Sequence, residues 1–101
     1  MHAFIEVPDV IVTRHRGLVT HLVERGIVAL STAVIEHATA RDVSGKWVVG
    51  VLPLHLAALC DRVTEIPLAL TAEMRGRELS ATEVAAIAGE PRTYCVREVR
   101  P

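Results

Sequence analysis

The sequence predicts an α/β chain in which a mostly parallel sheet carries helices on both faces, as one domain over residues 1–101. A chain of 101 residues can bury one hydrophobic core and not two. Half of the residues are apolar, yet only Phe4, Trp47 and Tyr94 are aromatic. The rest of the apolar set is dominated by Val, Leu, Ile and Ala, which suits buried strands packed on helices. Along the chain, β-branched runs alternate with segments of helical period, the pattern of βαβ units joined by right-handed crossovers.

The first strand is expected at residues 9–13 (DVIVT). After a turn at residues 14–17, Leu18, Val19, Leu22 and Val23 recur at helical spacing, and Gly26 supplies a stop. Residues 27–30 and 33–36 are two candidate pieces for the second strand, and periodicity does not choose between them. Residues 46–52 (KWVVGVL) read as a buried strand, and Pro53 stands where proline opens a helix continuing to residue 60. That helix is apolar almost all round, which fits burial against another subunit or a central place in its own monomer. A fourth strand is expected at residues 65–70, with Pro67 placing it at an edge or a strand start. A polar loop over residues 71–79 follows. Ser80 and Glu83 then form a capping box opening a helix that Gly89 closes, and residues 92–99 alternate as a last strand.

A net charge of −1 excludes a protein that coats long nucleic acid, which needs a broad basic surface. Ten of the eleven basic residues are Arg, whose planar fork suits phosphate, although a codon bias would produce the same count. Cys60 and Cys95 lack metal-ligand spacing and read as buried thiols; no cofactor and no metal is implied. With neither a leader pattern nor a long apolar run, the expected location is the cytoplasm, without membrane attachment.

In parallel sheets ligands bind outside the carboxyl ends of the strands. The first strand delivers Thr13, Arg14, His15 and Arg16 to the start of a helix. Together they combine a hydroxyl, two guanidiniums, an imidazole and free backbone N–H groups, a plausible anion site. His15 has the chemistry of a general acid or base near neutral pH. The bland alternative is a solvated turn capped by threonine. Gly50, Leu52 and Pro53 end the third strand in a small apolar turn that a ligand can approach, although a glycine there also suits tight packing. Arg75 and Arg77 flank Gly76 and can wrap a phosphate, unless Glu73 and Glu78 pair with them on the surface. His37, after the second strand, can reach the same crevice; His2, His21 and His55 read as ordinary terminal or helical histidines.

The segments IVTRHRG (residues 11–17), VVGVLPLHLAALC (48–60) and MRGRELSATEV (74–84) resemble, in order, the small CRISPR-associated Csx family numbered sixteen. The resemblance implies a Rossmann-like, CARF-like homodimer. It also implies a metal-independent ring nuclease that cleaves cyclic tetra-adenylate and switches off type III CRISPR signalling. Carried over by position, it falls on Thr13, Arg14, His15, Leu52, Pro53, Arg75 and Arg77, with Arg14, His15 and Arg75 expected to act in catalysis. Arg16 stands where that family is expected to have proline, His55 where a small polar residue is commoner, and the stretch from Cys60 to Arg75 is shorter.

Three other readings compete. A binding module would capture the same ring as a sponge or sensor without cutting it. A phosphomonoesterase is suggested by Arg14-His15-Arg16-Gly17, which is superficially similar to the Arg-His-Gly element of histidine phosphatases. A structural subunit would leave the arginine loops as solubilising surface.

Overall fold

The computed structural model describes residues 6–100. Five strands, β1 (Val10–Val12), β2 (Ala33–Ile35), β3 (Trp47–Gly50), β4 (Arg62–Glu65) and β5 (Arg92–Tyr94), form one sheet in the order β2-β1-β3-β4-β5. The first four are parallel and β5 runs antiparallel to β4. The expected Rossmann-like α/β class is therefore the observed one. Residues 33–35, rather than 27–30, supply the second strand.

Strand alternation divides the interior. Ile11 and Val49 turn to one face with Leu18, Leu22, Leu79 and Val84, from α1 (Arg16–Glu24) and the region of α4 (Ala81–Ile87). Val10, Val12 and Val48 turn to the other, where Val43 and Leu56 pack from α2 (Ala40–Val43) and α3 (Leu54–Ala57). Because β1 is buried on both faces it reads as a continuous apolar run. Burying a side chain such as Leu22 fully contributes about 1.5–3 kcal/mol.

Local chemistry ends the helices. At the close of α1, Gly26 adopts φ 70°, its N–H donates to the Val23 carbonyl, and Ile27 N–H donates to Leu22. This pair of bonds is the Schellman arrangement, which favours glycine at that position. Ser80 caps α4 as expected, its hydroxyl accepting from Glu83 N–H at 3.1 Å while Glu83 accepts from Ser80 N–H at 3.1 Å. Helix α2 was not foreseen, although Thr39 and Asp42 form a second such box. There Asp42 accepts from Thr39 N–H at 2.7 Å, which lowers its carboxyl pKa.

Several boundaries differ from expectation. The fourth strand ends, rather than begins, at Glu65. The apolar residues beyond it, Ile66, Leu68 and Leu70, pack on the α1/α4 side, and Leu68 makes only an isolated bridge to Ala88. The third strand stops at Gly50, whose φ of 146° turns the chain. Helix α3 ends at Ala57, with Leu54 left 76 % exposed and Ala57 buried, and β5 ends at Tyr94. Helix α4 ends at Ile87 because Ala88, its C-cap, turns extended; Gly89, the expected stop, is not left-handed and donates its N–H to the Pro67 carbonyl instead. Cys95 is exposed and Cys60 half-buried, so neither is the fully buried thiol expected.

Candidate functional site

Strand order places the topological switch between β1 and β3: the chain leaves β1 toward β2, then returns to the other side of β1. A cleft of about 500 Å³ opens at the carboxyl ends of these strands. Its walls are Thr13, Arg14 and His15 after β1, Gly50 and Val51 after β3, Glu65 to Leu68 after β4, and Glu36 after β2.

The turn after β1 has defined geometry. The Thr13 hydroxyl accepts from His15 N–H at 3.1 Å, and the His15 carbonyl accepts from Leu18 N–H at 3.1 Å. His15 is thus the N-cap residue of α1, but its side chain does not cap the helix and no acidic residue lies in the first turn. The positive end of a nine-residue helix therefore opens beside Arg14 and His15. Hydroxyl, guanidinium, imidazole and helix N–H groups in one turn suit an anionic ligand and proton exchange with it.

Gly17 explains how the turn is held. A Cβ there would collide with the Leu79 carbonyl, so α1 sits directly against the chain entering α4. Gly50 acts similarly on the opposite wall, where a Cβ would strike the Val12 carbonyl. It therefore marks a close approach between neighbouring strands and also lines the cleft.

The other sequence candidates fall in different places. Arg16 is exposed on the first turn of α1, and His37 is exposed after β2; neither lines the cleft. Leu52 packs into the α2/α3 core, and Pro53 is the exposed N-cap residue of α3. Arg75 is exposed after a short 3-10 turn at Ala72–Met74 and has no ion pair among the described residues. Arg77 is bound through both terminal nitrogens to Glu83, at 3.2 and 2.6 Å. Its partner is Glu83 rather than the expected Glu78 side chain.

Two cleft carboxylates, Glu36 and Glu65, escaped the sequence reading. Glu36 directly follows a strand, which was signal enough. The expected strand over residues 65–70 puts Glu65 at its amino end, whereas Glu65 is the last residue of β4. The β-branched pair Val63-Thr64 before it was the available clue.

Among the described residues, no group of three or more His, Cys, Asp and Glu side chains is gathered to hold a metal ion, and no helix is long and apolar enough to cross a membrane. Fold and site together define a small Rossmann-like α/β protein with a cleft at the switch point of its sheet, in which Thr13, Arg14, His15, Glu36 and Glu65 stand among apolar walls. Residues 10–97 match the family model described as "Putative CRISPR-associated protein (Cas_VVA1548)", and the chain belongs to that CRISPR-associated family. No curated protein and no solved structure matches it.

Proposed function

We propose that the protein is a ring nuclease that opens cyclic tetra-adenylate without a metal, and so ends type III CRISPR signalling in the cytoplasm. The observation that carries this reading is the Thr13-Arg14-His15 turn, which lines the switch-point cleft beside the N-terminus of α1 in a CRISPR-associated chain. The sequence resemblance to the Csx family numbered sixteen supplies the substrate and the relationship to CARF domains.

In the proposed reaction a ribose 2'-oxygen attacks the adjacent phosphorus and the 5'-oxygen leaves. The product is a linear oligoadenylate ending in a 2',3'-cyclic phosphate. The protein aligns attacking and leaving oxygens and neutralises charge building on the phosphoryl oxygens. Arg14 and the α1 N–H groups face that charge, with Thr13 holding the turn, and His15 donates a proton to the departing oxygen. A cleft of about 500 Å³ suits a ligand of drug size, whereas a ring of four nucleotides is larger. A homodimer joining two clefts on its axis accommodates such a ring, each chain holding half.

A non-catalytic sponge or sensor is the second reading. It is favoured by one observation: among the described residues Arg14 is the only arginine lining the cleft, alongside two glutamates, which is sparse support for a phosphorane. Incubation of purified protein with cyclic tetra-adenylate in EDTA, followed by chromatography, separates the two. Linear products bearing cyclic phosphate support the nuclease. A retained, intact ring supports the binder, and an intact ring that is not retained removes both.

A further inference from the structure

A second cleft of about 360 Å³ lies on the α3 side of the sheet, and it shares Gly50, Val51 and Glu65 with the first. Its wall includes Val51 and Leu54, 74 % and 76 % exposed, and the Tyr94 ring on β5. Both clefts have apolar walls, but they differ in what else lines them: the Arg14 guanidinium and His15 imidazole stand only in the first, the Tyr94 ring only in the second. In any nucleotide the sugar lies between the phosphate and the base. Resting on the nucleotide reading above, we propose that the second cleft seats the base and that Glu65, at the junction, accepts a hydrogen bond from the ribose 2'-hydroxyl.

The surroundings of Glu65 favour this role. It is half-buried at the last position of β4, and no hydrogen bond or ion pair holds its carboxylate among the described residues. A carboxylate repels phosphate but is a strong acceptor for a hydroxyl, so its place in an anion's cleft fits the uncharged part of the ligand. During ring opening, Glu65 takes the 2'-proton as the 2'-oxygen bonds to phosphorus. The P–O5' bond breaks, and protonated His15 gives its proton to the 5'-oxygen, so one proton is accepted and one donated.

Calorimetric titration with cyclic tetra-adenylate and with its all-2'-deoxy counterpart tests the assignment in binding alone, with circular dichroism confirming that each variant is folded. Wild type is expected to prefer the ribo ring by roughly tenfold, the scale of one charged hydrogen bond. Glu65→Ala should bring the two affinities together while binding the deoxy ring at least as tightly as wild type, because a negative charge has left. Glu65→Gln, which keeps an acceptor, should retain part of the preference, and Tyr94→Ala should weaken both rings alike. An unchanged ribo/deoxy ratio in Glu65→Ala overturns the sugar contact, and unchanged affinity in Tyr94→Ala overturns the base seat. If wild type binds neither ring, the nucleotide reading itself fails and takes this inference with it. If it binds but does not cut, only the nuclease reading fails.

Discussion

Arg77 and Glu83 face each other through two hydrogen bonds, and the same carboxylate closes the capping box of α4 by accepting from Ser80 N–H. One of the two arginines of the loop after β4 that were candidates for the ligand is thus committed to the start of a helix. The Arg77 guanidinium, with help from Ser80 N–H, holds the Glu83 carboxyl at about 2, below its ordinary value of 4.5.

A carboxyl whose folded pKa is depressed stabilises the fold above its unfolded pKa, and that contribution is lost as pH falls through the folded value. Melting temperatures of wild type and Glu83→Gln should therefore differ most near neutrality and converge as pH drops from about 4.5 toward about 2. Parallel curves over that window would show that the pair contributes no pH-dependent stability. Ser80→Ala should lower stability by about 1 kcal/mol near neutral pH, the usual scale for a lost cap.

Gly17→Ala sets two known effects against each other. Alanine is the better helix former by about 0.8–1.0 kcal/mol. Its Cβ, however, meets backbone rather than a side chain that can swing aside, since the Leu79 carbonyl and Ser80 lie in its path. Collisions of this kind cost about 1–3 kcal/mol or force the elements apart. Urea unfolding should show net destabilisation, whereas a stabilised variant would mean that α1 and the chain entering α4 separate readily. Gly50→Ala should be worse, because a φ of 146° adds backbone strain to the collision with Val12.

Trp47 donates its indole N–H to the Thr64 hydroxyl at 2.8 Å, and Thr64 shares a hydrogen bond with Thr93, also at 2.8 Å. Arg62 lies over the indole ring at 4.3 Å, fixing the outer side of the β3–β4–β5 edge. Thr64→Val removes the acceptor in the middle of this chain and should cost about 1–3 kcal/mol, while Thr93→Val leaves the indole bond in place and should cost less. Trp47 is the sole tryptophan, so its fluorescence reports directly on the unfolding of this edge. Equal losses for the two variants would show that the indole bond contributes nothing measurable.

Much of this architecture was legible because the decisive signals were local. The β-branched run Val10-Ile11-Val12, the Gly26 stop and the Ser80-Glu83 box each state their structure within a few residues. The misreadings arose where a distant partner decided the outcome. Ile66, Leu68 and Leu70 alternate as a strand would, yet they pack on the α1/α4 side, and this displaced β4 by three residues. That shift moved Glu65 from the expected amino end to the carboxyl end of its strand, and so into the cleft. Likewise, charge pattern alone could not tell that Arg77 would find Glu83, six residues on across the start of α4. The His15 turn was legible because strand, turn and helix are contiguous there.

Resemblance expects both Arg75 and Arg77 to meet the ligand, whereas their surroundings separate them, and ring binding should follow the surroundings. Arg14→Ala removes the one guanidinium that lines the cleft among the described residues and should weaken binding of cyclic tetra-adenylate by roughly ten- to a hundredfold, the scale of a lost charge-assisted hydrogen bond. Arg77→Ala should lower the melting temperature and leave affinity nearly unchanged, since its guanidinium is already held by Glu83. Arg75, exposed and unpaired among the described residues, should fall between them, with a loss that grows if a second copy brings its loop over the ring. Calorimetry and thermal melts on the three variants separate these effects. Equal affinity losses for Arg14→Ala and Arg77→Ala would mean that the Arg77–Glu83 pair opens to admit ligand, and would move the phosphate site toward the start of α4.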